Sequence, residues 1–171
     1  MWITSIFLVT VLAALLCTLY AAYTDLRKYT IPNYISLIII ALYPVAVLTS
    51  SVEIDWLFAL LTAGITFVVG FLLFAGGYFG GGDVKLITGL SLWAGPALIA
   101  SFLVSVVLAG GVLVIIILAR EAAKQSEEAG GLIRGAKAAI RARTPVPYGV
   151  AIAFGSITVF FHHVNSTGFF G

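Results

Sequence analysis

Asp25 and Asp83 are the acidic residues whose surroundings could support catalysis. Asp83 follows the glycine-rich stretch Gly76-Gly77-Tyr78-Phe79-Gly80-Gly81-Gly82, and Lys85 follows Asp83 closely. Both flanks of this stretch are strongly apolar, and a carboxylate near hydrocarbon is costly unless the protein builds a site for it. Glycine also lets a backbone or a substrate approach closely. The pattern indicates a functional site, although a flexible loop with an exposed aspartate would have the same composition.

Two carboxyl groups that come close together cannot both ionise readily, so they share one proton. The ionised member can take a proton from water, which attacks an amide carbonyl, while the protonated member donates to the carbonyl oxygen. This chemistry requires no metal and no cofactor. If Asp25 and Asp83 meet, the sequence therefore predicts an aspartic protease mechanism. The single cysteine, Cys17, excludes an intrachain disulfide and a CxxC metal site.

The composition places the protein in a membrane. The chain has 171 residues, of which 61% are hydrophobic and 9% charged, and its mean hydropathy is +1.15. A soluble domain is about 25% charged, and this much apolar surface cannot be buried in a core of this size. The first apolar run lacks a basic region before it and is long enough to span, so it is predicted to be a helix and not a cleavable signal. We predict an all-α polytopic membrane protein with a single integral-membrane domain over residues 1–171.

Apolar runs separated by polar or glycine-rich segments predict six transmembrane helices. The run from Leu86 to Ala119 carries no charge, and one helix of that length would reach about 51 Å, too long for a hydrocarbon core of about 30 Å. Gly95-Pro96 offers a turn inside it. The predicted spans are residues 2–23, 33–48, 56–75, 84–94, 97–119 and 147–164.

The basic residues predict the orientation. With six spans, all nine Lys and Arg lie on the same side as the 24–32 loop, whereas a single crossing from Leu86 to Ala119 would move six of them across. The positive-inside rule makes that side cytoplasmic and the N-terminus external. Asp25 and Asp83 then both lie at the cytoplasmic boundary of the inner (plasma) membrane, where they can meet. Residues 120–144 are predicted to be a basic amphipathic segment on the anionic leaflet, and nucleic-acid binding is not expected.

Three motifs resemble those of the type IV prepilin peptidases, a family of GxGD-type intramembrane aspartic proteases. Gly80-Gly81-Gly82-Asp83 fits the GxGD signature, and the segment GDVKL at 82–86 is similar to the second aspartate motif of that family. The segment TDLRKYTIPN around Asp25 looks like its D-x(6)-P-N element, and Pro147-Tyr148-Gly149-Val150-Ala151 resembles the element that opens its last span.

The resemblance implies that Asp25 and Asp83 are the catalytic pair. It also implies a prepilin or preflagellin-like substrate, whose short basic leader is removed on the cytoplasmic side of its hydrophobic helix. The long members of the family carry paired CxxC motifs linked to N-methylation, but the 24–32 loop has no cysteine. The chain therefore resembles the short, peptidase-only branch, which serves tight-adherence pili in bacteria or pilins and flagellins in archaea.

Further residues near the pair are candidates to bind substrate or support the acids. Lys85 could orient Asp83 or be a snorkelling charge at a helix start. Asn33 could hydrogen-bond Asp25 or cap the second helix. The glycines could let the chain approach the substrate closely or let helices pack closely. The residues that begin the last span could line the site or only pack against it. The candidates are Gly80, Gly82, Lys85, Asn33, Tyr148 and Gly149. His162 and His163 fall on the opposite side and are not expected to be ligands.

Two other classes of function are open to a chain of this kind. A proton-coupled transporter or channel would use Asp83 as a carboxylate in its pathway, but that class favours acids near the bilayer centre and repeated half-folds. A non-catalytic membrane subunit of a secretion or pilus assembly would tolerate replacement of both aspartates.

Overall fold

The computed structural model describes residues 2–129 and 146–166, with side chains of the fourth helix described as far as Lys124. These ranges form five α-helices and contain no strand, which confirms the all-α prediction for the part described. The helices are α1 (Trp2–Lys28), α2 (Asn33–Thr49), α3 (Trp56–Ala75), α4 (Gly81–Ala129) and α5 (Tyr148–Ser166).

Several helices have the character of membrane spans. By length and composition, three helical segments could cross a bilayer, namely Trp2–Lys28, Trp56–Ala75 and Gly81–Lys124, and α2 is a shorter apolar helix. Only 11% of the most apolar window of α3 is buried inside the protein. Since so apolar a surface is not stable in water, lipid must cover α3. The chain is thus a multi-pass membrane protein.

Helix α4 is broken at Gly95, where the sequence predicted a turn. Gly95 has φ 56° and ψ −172°, a conformation that glycine adopts without steric cost. Pro96 follows and has no N–H to donate to the preceding turn. Residues 81–94 therefore form a short helix, and residues 96–129 form a long one that continues past Ala119. Of the basic amphipathic segment predicted over residues 120–144, residues 120–129 continue α4, and the rest lies outside the described residues.

Contacts at the two ends of the bundle show how the halves of α4 run. At Gly95, a built Cβ would lie 3.9 Å from Ala59, in the first turn of α3. At Gly110, a built Cβ would lie 3.4 Å from Cε1 of Tyr148, the first residue of α5. Residues 96–110 therefore return from the end where α3 begins to the end where α5 begins.

The break in α4 is held by two side-chain contacts. Nε2 of His163 donates to the carbonyl oxygen of Trp93 at 2.7 Å, an oxygen close to the point where helical bonding is interrupted. The Trp93 indole is fully buried, and its Nε1–H donates to the carbonyl oxygen of Ile39 at 3.1 Å. The end of residues 81–94 is thus tied to both α2 and α5.

Helices α4 and α5 approach backbone to backbone at Gly155. A Cβ built there would lie 2.5 Å from Cγ2 of Val106 and 3.1 Å from the carbonyl oxygen of Phe102. Small residues permit this close packing of membrane helices. The contact fixes the position of α5 along α4, and with it the first turn of α5.

We predict that Gly155→Ala destabilises the protein, because the added methyl group would clash with Cγ2 of Val106 and crowd the backbone of Phe102 and Val106. Overpacking of this kind costs about 1–3 kcal/mol. The matched control is Gly64→Ala, also inside a helix, where a built Cβ has nothing within 4 Å. Denaturant unfolding in detergent micelles measures both. Equal stability of the two variants would contradict the close α4–α5 contact.

Candidate active site

Asp25 and Asp83 line the same open cleft of about 440 Å³. The cleft lies where α1 ends and where α2 and α4 begin. Asp25 belongs to the last turn of α1 and is buried, and Asp83 belongs to the first turn of α4 and is half-buried. Asp25 lies near enough for its charge to oppose ionisation of the Asp83 carboxyl group, in addition to the effect of burial. The structure thus brings together the two acids singled out from the sequence.

The Asp25 carboxylate is held by the first turn of α5. Its Oδ2 accepts a hydrogen bond of 2.7 Å from the backbone N–H of Gly149. The first N–H groups of a helix have no partner inside the helix, and the helix dipole favours negative charge at this end. A Cβ built on Gly149 would lie 3.0 Å from both Cβ and Oδ2 of Asp25. Gly149 therefore supplies a donor at a distance that a larger residue would disturb.

The Asp83 carboxyl group is held by the first turn of its own helix. It interacts with the backbone N–H of Gly80, the residue before α4, and the Gly80 carbonyl oxygen accepts from the N–H of Val84 at 3.2 Å. This arrangement resembles a capping box, in which an acid in the first turn reaches back to the residue that starts the helix. A Cβ built on Gly80 would lie 2.7 Å from Oδ2 of Asp83. Gly80 thus leaves room for the carboxyl group.

The end of α1 adopts an unusual conformation at Tyr29. This residue has φ 49°, and its N–H donates to the carbonyl oxygen of Asp25 at 2.8 Å. The bond is the αL helix cap, in which glycine is the usual residue. A non-glycine residue with positive φ is uncommon and is found more often at functional sites. Tyr29 lies on the exposed rim of the cleft, and nothing in the sequence pointed to it, because no glycine marks this helix end.

Ile31 is a second residue of the site that the sequence reasoning missed. Its side chain is buried and lies against two glycines that neighbour the acids. A Cβ built on Gly82 would lie 3.1 Å from Cβ of Ile31, and one built on Gly149 would lie 3.2 Å from its Cδ1. No chemical feature of the sequence points to Ile31, since it is an apolar residue among many.

Lys85 and Asn33 form a contact across the cleft. The Lys85 Nζ donates to Oδ1 of Asn33 at 2.8 Å, and both side chains are exposed. This contact is neither of the two alternatives raised for Asn33, since Pro32 starts α2 without a side-chain cap and Asn33 is bonded to Lys85. The bond joins the start of α2 to the first turn of α4.

Tyr148 packs against the glycine-rich stretch. Its ring stacks on Phe79, with ring centroids 5.9 Å apart and an interplanar angle of 23°. Since Gly149 follows Tyr148, this stacking connects the residues before Asp83 to the amide that binds Asp25. Tyr148 therefore packs beside the acids, and the structure gives it no hydrogen bond to either carboxyl group among the described residues.

His162 and His163 lie in a pocket at the other end of the bundle, together with Asp55. Among the described residues, no group of three or more His, Cys, Asp or Glu is arranged to hold a metal ion.

Comparison with known protein families identifies the family of this chain. A sequence model of the type IV leader peptidase family matches residues 6–115, which include Asp25 and Asp83 and end before Tyr148. The chain belongs to the type IV leader peptidase family. The resemblance drawn from the motifs is thereby confirmed. Comparisons with curated proteins and with solved structures give no match.

In this leader peptidase family member, we predict that the Lys85–Asn33 bond couples the two segments energetically. Lys85→Met and Asn33→Ala should be non-additive in unfolding free energy, with a coupling of about 0.5 kcal/mol for an exposed hydrogen bond. A double-mutant cycle in detergent measures the coupling. The control cycle pairs Asn33→Ala with Lys28→Met, another exposed lysine, and should be additive. Additivity in both cycles would show that the Lys85–Asn33 contact contributes nothing.

Proposed function

We propose that the chain is a membrane aspartic endopeptidase that removes the short basic leader from prepilin or preflagellin-like proteins. One observation carries the proposal: two carboxyl groups from separate helices share one open cleft and act on each other electrostatically. Family membership supports the substrate class. Asp25 and Asp83 are the proposed catalytic residues, and no metal or cofactor takes part.

The proposed mechanism divides the work between the two acids. Backbone N–H groups favour the ionised form of both acids, Gly149 at Asp25 and Gly80 at Asp83. We assign the shared proton to Asp83, because the Asp25 charge opposes ionisation of Asp83. Asp25 takes a proton from a water molecule, and the resulting oxygen nucleophile attacks the scissile carbonyl carbon. Asp83 donates its proton to the carbonyl oxygen. When the tetrahedral intermediate collapses, Asp25 returns a proton to the leaving amine and Asp83 recovers its own from the hydroxyl, so only one water is consumed.

Four further residues that line the cleft are proposed to support the acids or to contact substrate, namely Gly80, Gly82, Lys85 and Asn33. Lys85 and Asn33 carry exposed polar groups on its rim, where a substrate backbone would pass. Gly80 and Gly149 act through the carboxyl groups that they neighbour. Tyr148 is proposed to support the site through its stacking on Phe79.

We propose six membrane crossings, with the N-terminus outside and the cleft facing the cytoplasm of the inner membrane. The break at Gly95 and the return of residues 96–110 towards α5 support two crossings within α4. The proposed protein is a peptidase only, because the short connection between α1 and α2 has no cysteine with which to build the CxxC motifs of the longer enzymes.

The transporter alternative receives less support. Both acids lie at one end of the helices and not half-way along them, since Asp25 is in the last turn of α1 and Asp83 in the first turn of α4. A carboxylate that relays protons across a membrane is expected inside the bundle. Family membership also favours peptide hydrolysis.

We predict that Asp25→Asn and Asp83→Asn each abolish leader removal, because an amide can neither activate water nor donate the required proton. The assay is co-expression with a candidate prepilin, followed by the mobility shift that marks loss of the leader. Asp55→Asn is the matched control, because Asp55 caps α3 through the N–H of Phe58 and lies away from the cleft. Processing by either purified cleft variant would refute the two-carboxylate mechanism.

The pH dependence of cleavage should be bell-shaped. Activity should fall at low pH, where both carboxyl groups are protonated and no base remains. It should also fall at high pH, where both are ionised and no acid remains. A profile of kcat/KM measured over about pH 4–9 reports the two apparent pKa values of the pair. A profile with a single limb would contradict proton sharing.

A further inference from the structure

Ile31 lies in the short connection between α1 and α2, which lines the cleft together with both acids. Because Pro32 follows it, Ile31 is restricted to an extended backbone. Its side chain is only 6% exposed although it belongs to a connecting segment near the surface. The connection thus places one apolar side chain between the starts of α4 and α5, whose backbone amides contact the two carboxyl groups.

The base of Ile31 contacts the turn that carries Asp83. A Cβ built on Gly82 would lie 3.1 Å from Cβ, 3.5 Å from the carbonyl oxygen and 3.6 Å from the nitrogen of Ile31. The first turn of α4 therefore rests directly on the backbone of Ile31. Gly82 immediately precedes Asp83, so Ile31 packs against the backbone next to the second acid.

The tip of Ile31 contacts the residue that binds Asp25. A Cβ built on Gly149 would lie 3.2 Å from Cδ1 of Ile31. The N–H of Gly149 is the donor to the Asp25 carboxylate. One side chain therefore spans from the turn of one acid to the amide that holds the other.

We infer that Ile31 is a positioning residue that sets the separation of Asp25 and Asp83 through its contacts with Gly82 and Gly149. This rests on the proposed function in so far as the two acids are catalytic. Ile31 carries no polar group and takes no part in the chemistry. Ordinary core packing would make Ile31 matter for stability alone, whereas a positioning role makes its size matter for the geometry of the pair.

The first experiment compares Ile31→Val and Ile31→Ala with Ile35→Val and Ile35→Ala. Ile35 is the matched control, because it is 1% exposed, lies on α2 and does not line the cleft. Misplacement of reacting groups by about 1 Å can cost about 100-fold in rate. We expect kcat to fall about tenfold or more in Ile31→Ala and less in Ile31→Val, with KM nearly unchanged, while both Ile35 variants retain kcat.

Ile31→Val removes only Cδ1 and so keeps the contact with Gly82. We expect it to weaken the hold of Gly149 on Asp25 and to move the acid limb of the pH–rate profile to higher pH. The profile of Ile35→Val should match that of the unmodified protein. If the Ile31 and Ile35 variants lose the same activity with the same pH profile, Ile31 is only a packing residue and the inference is wrong.

The second experiment does not depend on peptidase activity. In a protein with Cys17→Ala, the changes Asp25→Cys and Asp83→Cys report the separation of the two positions through cross-linking by bifunctional thiol reagents of graded length. With Ile31 present, one spacer length should dominate. Adding Ile31→Ala should spread the yield over several lengths, and adding Ile35→Ala should not. An unchanged length preference with Ile31→Ala would overturn the inference, whatever the outcome of the cleavage assays.

Discussion

The site depends on holding two carboxyl groups close together beside an apolar bundle, where their mutual repulsion and the loss of water both oppose the arrangement. Backbone amides at the starts of two helices offset these costs by contacting the carboxyl groups. Asp25 accepts from Gly149 at the beginning of α5, and Asp83 interacts with Gly80 at the beginning of α4. These amides have no partner within their helices and bear partial positive charge. Backbone donors of this kind favour negative charge on the carboxyl groups that they contact.

Such a site requires that several helix ends lie close together, and contacts at the opposite end of the bundle help to orient these helices. The break at Gly95 would leave residues 81–94 free to tilt, but Trp93 is bonded to Ile39 and to His163. The close contact at Gly155 then fixes α5 against the returning half of α4. The far-side histidine, which the sequence placed away from the chemistry, thus has a structural role in orienting the helices whose first turns hold the acids.

The sequence predicted those features that contrast with an apolar background. A charge near hydrocarbon, a Gly-Pro pair in a long uncharged run and a dense set of glycines are all conspicuous, so Asp25, Asp83 and the break at Gly95 could be predicted. The partners of these residues could not, because they depend on packing. Ile31 is one isoleucine among many, and Tyr29 ends a helix where glycine was to be expected. The bond between Asn33 and Lys85 joins residues 52 positions apart in sequence, and such a contact depends on how α2 and α4 pack.

The glycine-rich stretch had two interpretations, a built site or a flexible loop, and the surroundings of each glycine distinguish them. In a flexible loop, the space beside the glycines would be open, as it is at Gly64 and Gly111, where a built Cβ has nothing within 4 Å. In the stretch before Asp83 the space is occupied. A Cβ built on Gly76 would lie 2.9 Å from the Tyr78 ring, and one built on Gly80 would lie 2.7 Å from the Asp83 carboxyl group. A Cβ built on Gly81 would lie 3.3 Å from the Phe74 ring, and one built on Gly82 would lie 3.1 Å from Ile31. Gly77 has open space but a φ of 76°, which other residues rarely adopt. Gly82, which lies against Ile31, and Gly77, which has a positive φ, are the glycines of the stretch most restricted by packing or by backbone conformation, and this restriction favours a packed site over a flexible linker.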